Sequence, residues 1–209
     1  MPVSGAMDAP AGIRIEEWRP DRGEADSLGR DLDMLAGILH AVVHDGAGVS
    51  FVLPFSLDDA RAFWLDGVLP GVRSRARRVL VARREGRIVG TVQLALAMPP
   101  NQRHRAEVLK LLVHPADRRR GIARALMAAL EGVARSEDRT LLTLDTWTGG
   151  AAEALYRSLG YVAAGVVPRF ARGARSARLE AATLMYREID GMDPPLAPAR
   201  RGRKARRGT

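Results

Sequence analysis

The sequence predicts an α/β fold (α+β in the broader sense) built on a mixed, mostly antiparallel sheet of six to seven strands. Two apolar runs flank a Glu85-Gly86 turn in residues 79–98, which is the pattern of a β-hairpin. A polar connection then returns the chain into another apolar run over 107–113, which adds a third antiparallel strand. The region 107–145 follows the order strand, helix, strand, which requires a parallel pair with a right-handed crossover. The two kinds of pairing together make the sheet mixed.

The first seventy residues predict one short strand and two helices. Residues 13–18 alternate between apolar and polar side chains, as an edge strand does. We expect a helix over 26–43, where apolar residues recur at helical spacing. A second helix is expected over 57–68, with Ser56 as its N-cap and the Pro70-Gly71 pair ending it.

The C-terminal half predicts two more helices and three more strands. In chain order they are a helix over 122–135, a strand over 140–145, a helix over 151–159, and strands over 161–167 and 179–186. Gly160 is placed to end the second of these helices in a left-handed conformation. An arginine-rich stretch, 168–178, is expected to be a loop between the last two strands.

Composition favours one globular domain, over 13–190, with polar ends. Hydrophobic residues make up 46% of the chain, which is ample for a single core. Residues 1–12 and the proline- and arginine-rich tail, 191–209, are expected to be disordered because they cannot bury a core. Six of the nine units of net positive charge lie in the last ten residues, so the charge of the domain is ordinary.

Several classes of protein are disfavoured by composition. No run of 18 apolar residues exists, so we expect no membrane span, and residues 1–12 lack the pattern of a secretory signal. The chain has no cysteine, which excludes disulfides, a thiolate nucleophile and cysteine-bound zinc, and agrees with a cytoplasmic location. His40 and His44 are spaced as a helical pair, but no third ligand accompanies them, so no metal is expected.

The clearest candidate site is an anion site in residues 107–124. Pro115 ends the strand, a basic turn follows, and a helix begins near Ile122. Backbone N–H groups in the first turn of a helix lack partners, and the helix dipole is positive there. Gly121 allows a ligand to approach the backbone, and the arginines at 118–120 add charge. The pattern is neither a P-loop nor a dinucleotide fingerprint.

Two motifs resemble those of one enzyme family. Arg118-Arg119-Arg120-Gly121-Ile122-Ala123 resembles the R/Q-x-x-G-x-G/A loop of the GCN5-related N-acetyltransferases (GNAT). Residues 151–161, which include Tyr156 and end in Gly160-Tyr161, resemble the A-x-x-h-Y-x-x-x-G-F/Y signature of the same family at the family's distance. The resemblance covers residues 13–188. It implies the GNAT fold, with helices on both faces of the sheet and splayed parallel strands at its centre.

The resemblance also implies a donor, acetyl-CoA, and the residues that bind it. The strand would pair with the pantetheine arm, the loop's N–H groups would bind the pyrophosphate, and Arg118 and Arg120 would add charge. The implied residues are Leu111, Leu112, Val113, Arg118, Arg119, Arg120, Gly121, Ile122 and Ala123. Tyr156 would lie near the cofactor sulfur and protonate the departing thiolate. The alternative for Tyr156 is a core residue of an amphipathic helix, and Tyr161 is expected to pack.

An amine acceptor attacks only when neutral, so a base must take its proton. Glu107 begins the central strand and Asp145 ends its parallel neighbour, so both carboxylates are expected near the split of the sheet. The alternatives are a salt bridge in a loop for Glu107 and a helix N-cap for Asp145. Residues 89–94, 101–111 and 144–146 resemble the tabtoxin-resistance branch of the family, which implies a catalytic role for the same two residues but does not fix the acceptor.

The predicted activity is acetyl transfer to an amine, or a hydroxyl, of a small molecule by direct attack in a ternary complex. A toxin- or antibiotic-type acceptor is one option. A protein or peptide acceptor is an alternative, as is a coenzyme A-fold binding module that uses its basic tail for nucleic acid. No membrane partner is expected, and the chain is predicted to be a monomer or a homodimer.

Overall fold

A computed structural model of the chain describes residues 10–21 and 25–189, and the side chains of residues 25 and 26 are outside this description. The predictions for residues 1–9 and for the tail lie outside the described residues. The strands are β1 (Arg14–Glu17), β2 (Arg77–Arg84), β3 (Arg87–Ala95), β4 (Arg105–Val113), β5 (Leu141–Trp147), β6 (Val162–Arg172) and β7 (Leu179–Glu188). The helices are α1 (Ala25–His44), α2 (Leu57–Ala62), α3 (Leu69–Arg73), α4 (Ile122–Ser136) and α5 (Ala151–Ser158).

The strands form one seven-stranded sheet in the order β1-β2-β3-β4-β5-β7-β6. Within it β4 and β5 pair in parallel and the other neighbours pair antiparallel, so the predicted mixed sheet is confirmed. Each face is covered by helices over its own apolar core. One core gathers around Leu35, Leu39 and Trp64 under α1 to α3, and the other around Leu126 and Leu130 of α4. The predicted α/β class and the helices on both faces are therefore confirmed.

The parallel pair opens into a fork. Its register is Arg105 with Leu141, Ala106 with Leu142 and Glu107 with Thr143, and no further pairs follow among the described residues. Beyond that point β4 stays paired with β3, and β5 stays paired with β7 as far as Trp147. We call the space between residues 108–113 of β4 and 144–147 of β5 the fork.

A β-bulge in β4 lies beside the fork. Gln93 of β3 faces Leu109 and Thr91 faces Leu112, so the intervening residue of β3 faces two residues of β4. Lys110, one of those two, has φ of 51°, a left-handed conformation that is uncommon for a residue with a side chain. Such a bulge increases the local twist of a strand, which helps β4 diverge from β5.

The second predicted helix does not end at Pro70. Ser56 caps α2 in a capping box with Asp59, as its residue type predicts. A single π-helical stretch, Phe63–Val68, then leads directly into α3, where Pro70 lies in the first turn. The helical path therefore continues past Pro70 as far as Arg73. The prediction of a helix end at Pro70-Gly71 is therefore wrong.

Three strand boundaries also differ from the predictions. β5 extends through Trp147, so Asp145 lies inside the strand rather than at its end, because β7 continues to pair with it. β4 begins at Arg105, so Glu107 is its third residue rather than its first. β6 extends to Arg172 across a register irregularity between Val167 and Ala171, so the predicted loop shortens to residues 173–178.

Truncating Leu126 tests the core under α4. Leu126→Ala is expected to lower the free energy of unfolding by about 2–5 kcal/mol, because this fully buried side chain leaves a cavity. The matched control is Leu57→Ala, which removes a side chain that is 52% exposed and should change stability by less than about 0.5 kcal/mol. Urea unfolding followed by circular dichroism measures both. Equal losses in the two variants would contradict the assigned core.

Candidate active site

The loop between β4 and α4 presents a row of backbone donors. A 3₁₀ turn, Pro115–Asp117, follows β4, and Arg119 and Gly121 then adopt left-handed conformations with φ of 63° and 77°. The first helical bond of α4 runs from the N–H of Ala125 to the carbonyl of Gly121, 3.0 Å away. Among the described residues, none of the N–H groups from 119 to 123 donates to a protein acceptor. These donors and the positive end of the helix dipole can hold an anion.

Two acidic residues fix this loop to the rest of the domain. Asp117 is buried, and its Oδ1 lies 2.7 Å from Nη1 of Arg84 on β2. Arg118 pairs with Asp45, at the end of α1, with 2.5 Å between Nη1 and Oδ2. Arg119 and Arg120 remain exposed at the loop surface. The structure therefore places Arg119 and Arg120 beside the predicted loop donors. Arg118 instead forms an ion pair with Asp45.

Residues 111–113 of β4 line one side of the fork. Leu112 and Val113 pair with Thr91 and Gly90 of β3, while the β5-facing edge of the same stretch has no strand partner among the described residues. Backbone N–H and C=O groups that lack a strand partner need water or a ligand. The predicted separation of the two parallel strands is present. The space between them runs along β4 towards the N–H groups of residues 119–123.

Glu107 and Asp145 lie at the base of the fork on the same face of the sheet. Ala106 and Val108 of β4 and Leu142 and Leu144 of β5 belong to the core under α4, so the alternating residues between them face α1 to α3. Glu107 is in the last register pair with Thr143, and Asp145 is two residues further along β5. Within residues 10–21 and 25–189 neither carboxylate forms a hydrogen bond or an ion pair, so neither is a salt-bridge or helix-capping residue there.

Lys110 is a site residue that the sequence analysis missed. Its Nζ donates to Oγ of Ser50 at 2.9 Å and lies 5.6 Å and 5.7 Å from the ring centres of Phe51 and Phe63. Burial lowers the pKa of Lys110, while the negative charge of Asp145 acts in the opposite direction. The available signal was a single lysine inside the otherwise apolar run over 108–113.

Tyr156 lies on α5 in the core next to the fork. Burial raises the pKa of its hydroxyl above the usual range, and the negative charge of Asp145 raises it further. Tyr161 packs against it with ring centres 5.6 Å apart, and its own hydroxyl is buried without a hydrogen-bond partner among the described residues. Tyr161 belongs to the core cluster, in line with its predicted packing role.

Two loops meet at the far end of the fork. The N–H of Leu53, between α1 and α2, donates to the carbonyl of Ala174, between β6 and β7, at 3.0 Å. The indole of Trp147 lies between Gly48 and Gly173, where an added Cβ would come within 2.8 Å and 3.2 Å of the ring. A cleft of about 400 Å³ lies between the two loops. Trp147 is two residues beyond Asp145 on β5, so this contact lies at the end of that strand.

The described histidines do not form a metal centre. His40 and His44 stack with ring centres 4.1 Å apart, and Nε2 of His44 is 2.8 Å from the carbonyl oxygen of Phe55. No group of three or more potential metal ligands occurs in the part of the chain that the structure describes. No helix in that part is long and apolar enough to cross a membrane.

A forked mixed sheet that leads to the start of a helix with free N–H groups is the arrangement that the resemblance to the GNAT family implies. The sequence matches the Acetyltransferase (GNAT) family over residues 47–161, which is more than half of the chain. The chain belongs to this family, and the predicted family and enzyme class are confirmed.

Solved structures with the same fold agree with this assignment. The protein yncA from Salmonella typhimurium, determined with its cofactor acetyl-CoA, is 20% identical, with a TM-score of 0.69 over 88% of this chain and 98% of that chain. An N-acetyltransferase from Staphylococcus aureus Mu50 is 16% identical, with a TM-score of 0.68 over 85% and 99%. Ribosomal-protein-alanine N-acetyltransferase from Brucella melitensis is 26% identical, with a TM-score of 0.64 over 84% and 99%.

Substitution of Gly121 tests the anion loop. Gly121→Ala is expected to weaken acetyl-CoA binding about tenfold, because a Cβ strains the left-handed residue that aims the loop donors. Gly86→Ala is the matched control, since Gly86 also has φ of 77° but lies in the β2–β3 turn. Isothermal titration calorimetry with acetyl-CoA measures both variants. Equal affinities in the two variants would contradict the assignment of the loop.

Proposed function

We propose that the protein is an acetyl-CoA-dependent N-acetyltransferase that acetylates the amine of a small molecule by direct attack. The observation that carries the proposal is the continuity of the fork with the loop donors. The fork provides an unpaired strand edge for the pantetheine arm. The loop that follows the end of β4 provides free N–H groups. Two carboxylates lie at the base of the same fork.

The described residues fit the donor. The N–H groups of 119–123 bind the pyrophosphate, and the exposed Arg119 and Arg120 neutralise its charge. The open edge of Leu111 to Val113 pairs with the amides of the pantetheine arm, so the thioester lies near the base of the fork. Support also comes from yncA, a protein of the same fold whose structure contains acetyl-CoA.

Glu107 and Asp145 bind and deprotonate the acceptor amine. Their negative charge attracts the ammonium form of the amine, and one of them, directly or through water, takes the proton that must leave before attack. The neutral amine then attacks the thioester carbonyl, the C–N bond forms, the C–S bond breaks, and the nitrogen loses a second proton, so that the products are the amide and the thiol. Asp145 is the more exposed of the two carboxylates. Among the described residues the oxygens of neither carboxylate form a hydrogen bond or an ion pair, so they can accept a proton.

Tyr156 assists the departure of the thiolate. Because its pKa is raised, its hydroxyl stays protonated across the neutral range and can donate to the developing charge on sulfur. A phenol with a raised pKa is a weaker acid than an ordinary thiol, whose pKa is about 8.5. Its main contribution is therefore the hydrogen bond, and the proton lost by the amine balances the thiolate overall.

The contact between the two loops supports a small acceptor. The bond from Leu53 to Ala174 and the packing of Trp147 between Gly48 and Gly173 join two loops at the end of β5, and we infer that they close the side of the acceptor space beyond Asp145. An extended polypeptide would need that side open. The alternative is a protein or peptide acceptor. The binding-module alternative depends on the basic tail, which lies outside the described residues.

Removing the Tyr156 hydroxyl tests its role. Tyr156→Phe is expected to lower kcat by about 10- to 100-fold, the scale of a hydrogen bond to a charged group, with little change in the Kd for acetyl-CoA. Tyr161→Phe is the control, because its buried hydroxyl has no partner among the described residues and its loss should leave kcat unchanged. In the wild type the pKa is raised, so no loss of activity from Tyr156 ionisation is expected below about pH 10. Equal kcat values in the two variants would rule out this role.

Neutral isosteres test the two carboxylates. Asp145→Asn and Glu107→Gln are each expected to lower kcat/KM for the amine, and the double variant by about 100-fold or more. Asp138→Asn, beyond the end of α4, controls for loss of charge. Steady-state kinetics at saturating acetyl-CoA measure the effect. A double variant that transfers acetyl groups at the wild-type rate would show that neither carboxylate handles the proton.

A further inference from the structure

Lys110 is a largely desolvated cation without an anionic partner. Its ammonium group lies to one side of the adjacent rings of Phe51 and Phe63 and donates one hydrogen bond, to the hydroxyl of Ser50. No carboxylate lies within 4.0 Å of its Nζ in the described part of the chain. The two rings and one hydroxyl offset part of the cost of desolvation. Two of the three N–H donors of the ammonium are left for another group.

A second unused donor, the side-chain amide of Gln93, lies on β3, the strand that pairs with β4. Gln93 is fully buried, and its Oε1 accepts from Nη1 of Arg77 at 2.7 Å. Its Nε2 has no hydrogen-bond partner among the described residues. Gln93 faces Leu109 across the β3–β4 ladder, next to Lys110. Buried amide donors are rarely left unpaired, so an unpaired one beside a cation indicates a missing acceptor.

Arg77 adds positive charge to the same region. Burial lowers the pKa of its guanidinium, and the negative charge of Glu107 opposes that effect. The charge of Arg77 also acts on Lys110, so the two cations share one region of the sheet face. Neither has an ion-pair partner within 4.0 Å in the described residues.

The charges around the base of the fork act on one another, Asp145 on Lys110 and Glu107 on Arg77, but form no ion pair within 4.0 Å among the described residues. Glu107 and Asp145 provide a negative end suited to an ammonium group, and Lys110 with Nε2 of Gln93 provides a positive end suited to an acid. A neutral amine would leave the positive end unsatisfied. An amine that also carries an anionic group would satisfy both ends.

We infer that Lys110 binds an anionic group of the acceptor, with Gln93 as a second donor, so that the acceptor is a small molecule with both an amine and an acid. This inference rests on the proposed function, because it takes the face at the base of the fork as the acceptor site. It makes Lys110 a specificity-determining residue rather than a structural one.

The wild-type protein tests the inference without any substitution. Amines that carry a carboxylate, such as β-alanine, γ-aminobutyrate and the common amino acids, are compared with their methyl esters as acceptors. The expected result is a kcat/KM for at least one acid about 10- to 100-fold above that of its ester, the worth of a charge-assisted hydrogen bond. Esters that are acetylated as well as or better than every acid would overturn the inference.

Two substitutions then assign the preference to Lys110. Lys110→Met keeps the length of the side chain and removes the charge, and Lys110→Arg keeps the charge. In Lys110→Met the KM for the preferred acid is expected to rise about 10- to 100-fold, while the KM for its ester and the Kd for acetyl-CoA stay unchanged. Lys110→Arg is expected to retain part of the preference. An equal rise in both KM values for Lys110→Met would show a structural role and overturn the assignment.

Different results would contradict the proposed function and the inference about Lys110. Transfer to no amine, with or without an acid, would contradict the proposed function itself. Transfer without any preference for the acid would contradict only the inference about Lys110. Circular dichroism and acetyl-CoA binding show whether each variant is folded, and the wild-type comparison of acid with ester decides the inference even if a variant is not.

Discussion

The parallel pairing of β4 with β5 stops after three register pairs, at Glu107 and Thr143, and the site depends on where it stops. Each strand is held by its outer neighbour beyond that point, β4 by β3 as far as Val113 and β5 by β7 as far as Trp147. Those ladders use only the outer edge of each strand, so the inner edges that face the fork have no strand partner among the described residues. The open backbone edge needs hydrogen-bond partners, and an extended ligand with amide groups can supply them.

The bulge at Lys110 links the donor side of the site to the acceptor side. Its twist helps β4 leave β5, and its left-handed residue turns a charged side chain towards Ser50 and Phe51. The connection between α1 and α2 reaches both sides of the site. Its first residue, Asp45, pairs with Arg118 of the anion loop, and Ser50 accepts from Lys110. One segment of the chain therefore contacts both the anion loop on the donor side and Lys110 on the acceptor side.

Local signals in the sequence account for the parts that were predicted correctly. Ser56 marks the start of α2 and Gly160 ends α5, because each depends on backbone conformations within a few residues. The parts that were missed depend on distant partners. The length of β5 follows from its pairing with β7, and the contact of Arg118 with Asp45 joins residues 73 positions apart. The role of Lys110 follows from a bulge, which the apolar pattern of β4 does not reveal.

A crystal structure of this chain with coenzyme A tests the central claim most directly. The account predicts that the pantetheine arm lies in the fork along residues 111–113, with the pyrophosphate on the N–H groups of 119–123 and the sulfur near Tyr156 and the base of the fork. A coenzyme bound elsewhere, or strands β4 and β5 paired beyond Glu107 in the complex, would contradict it.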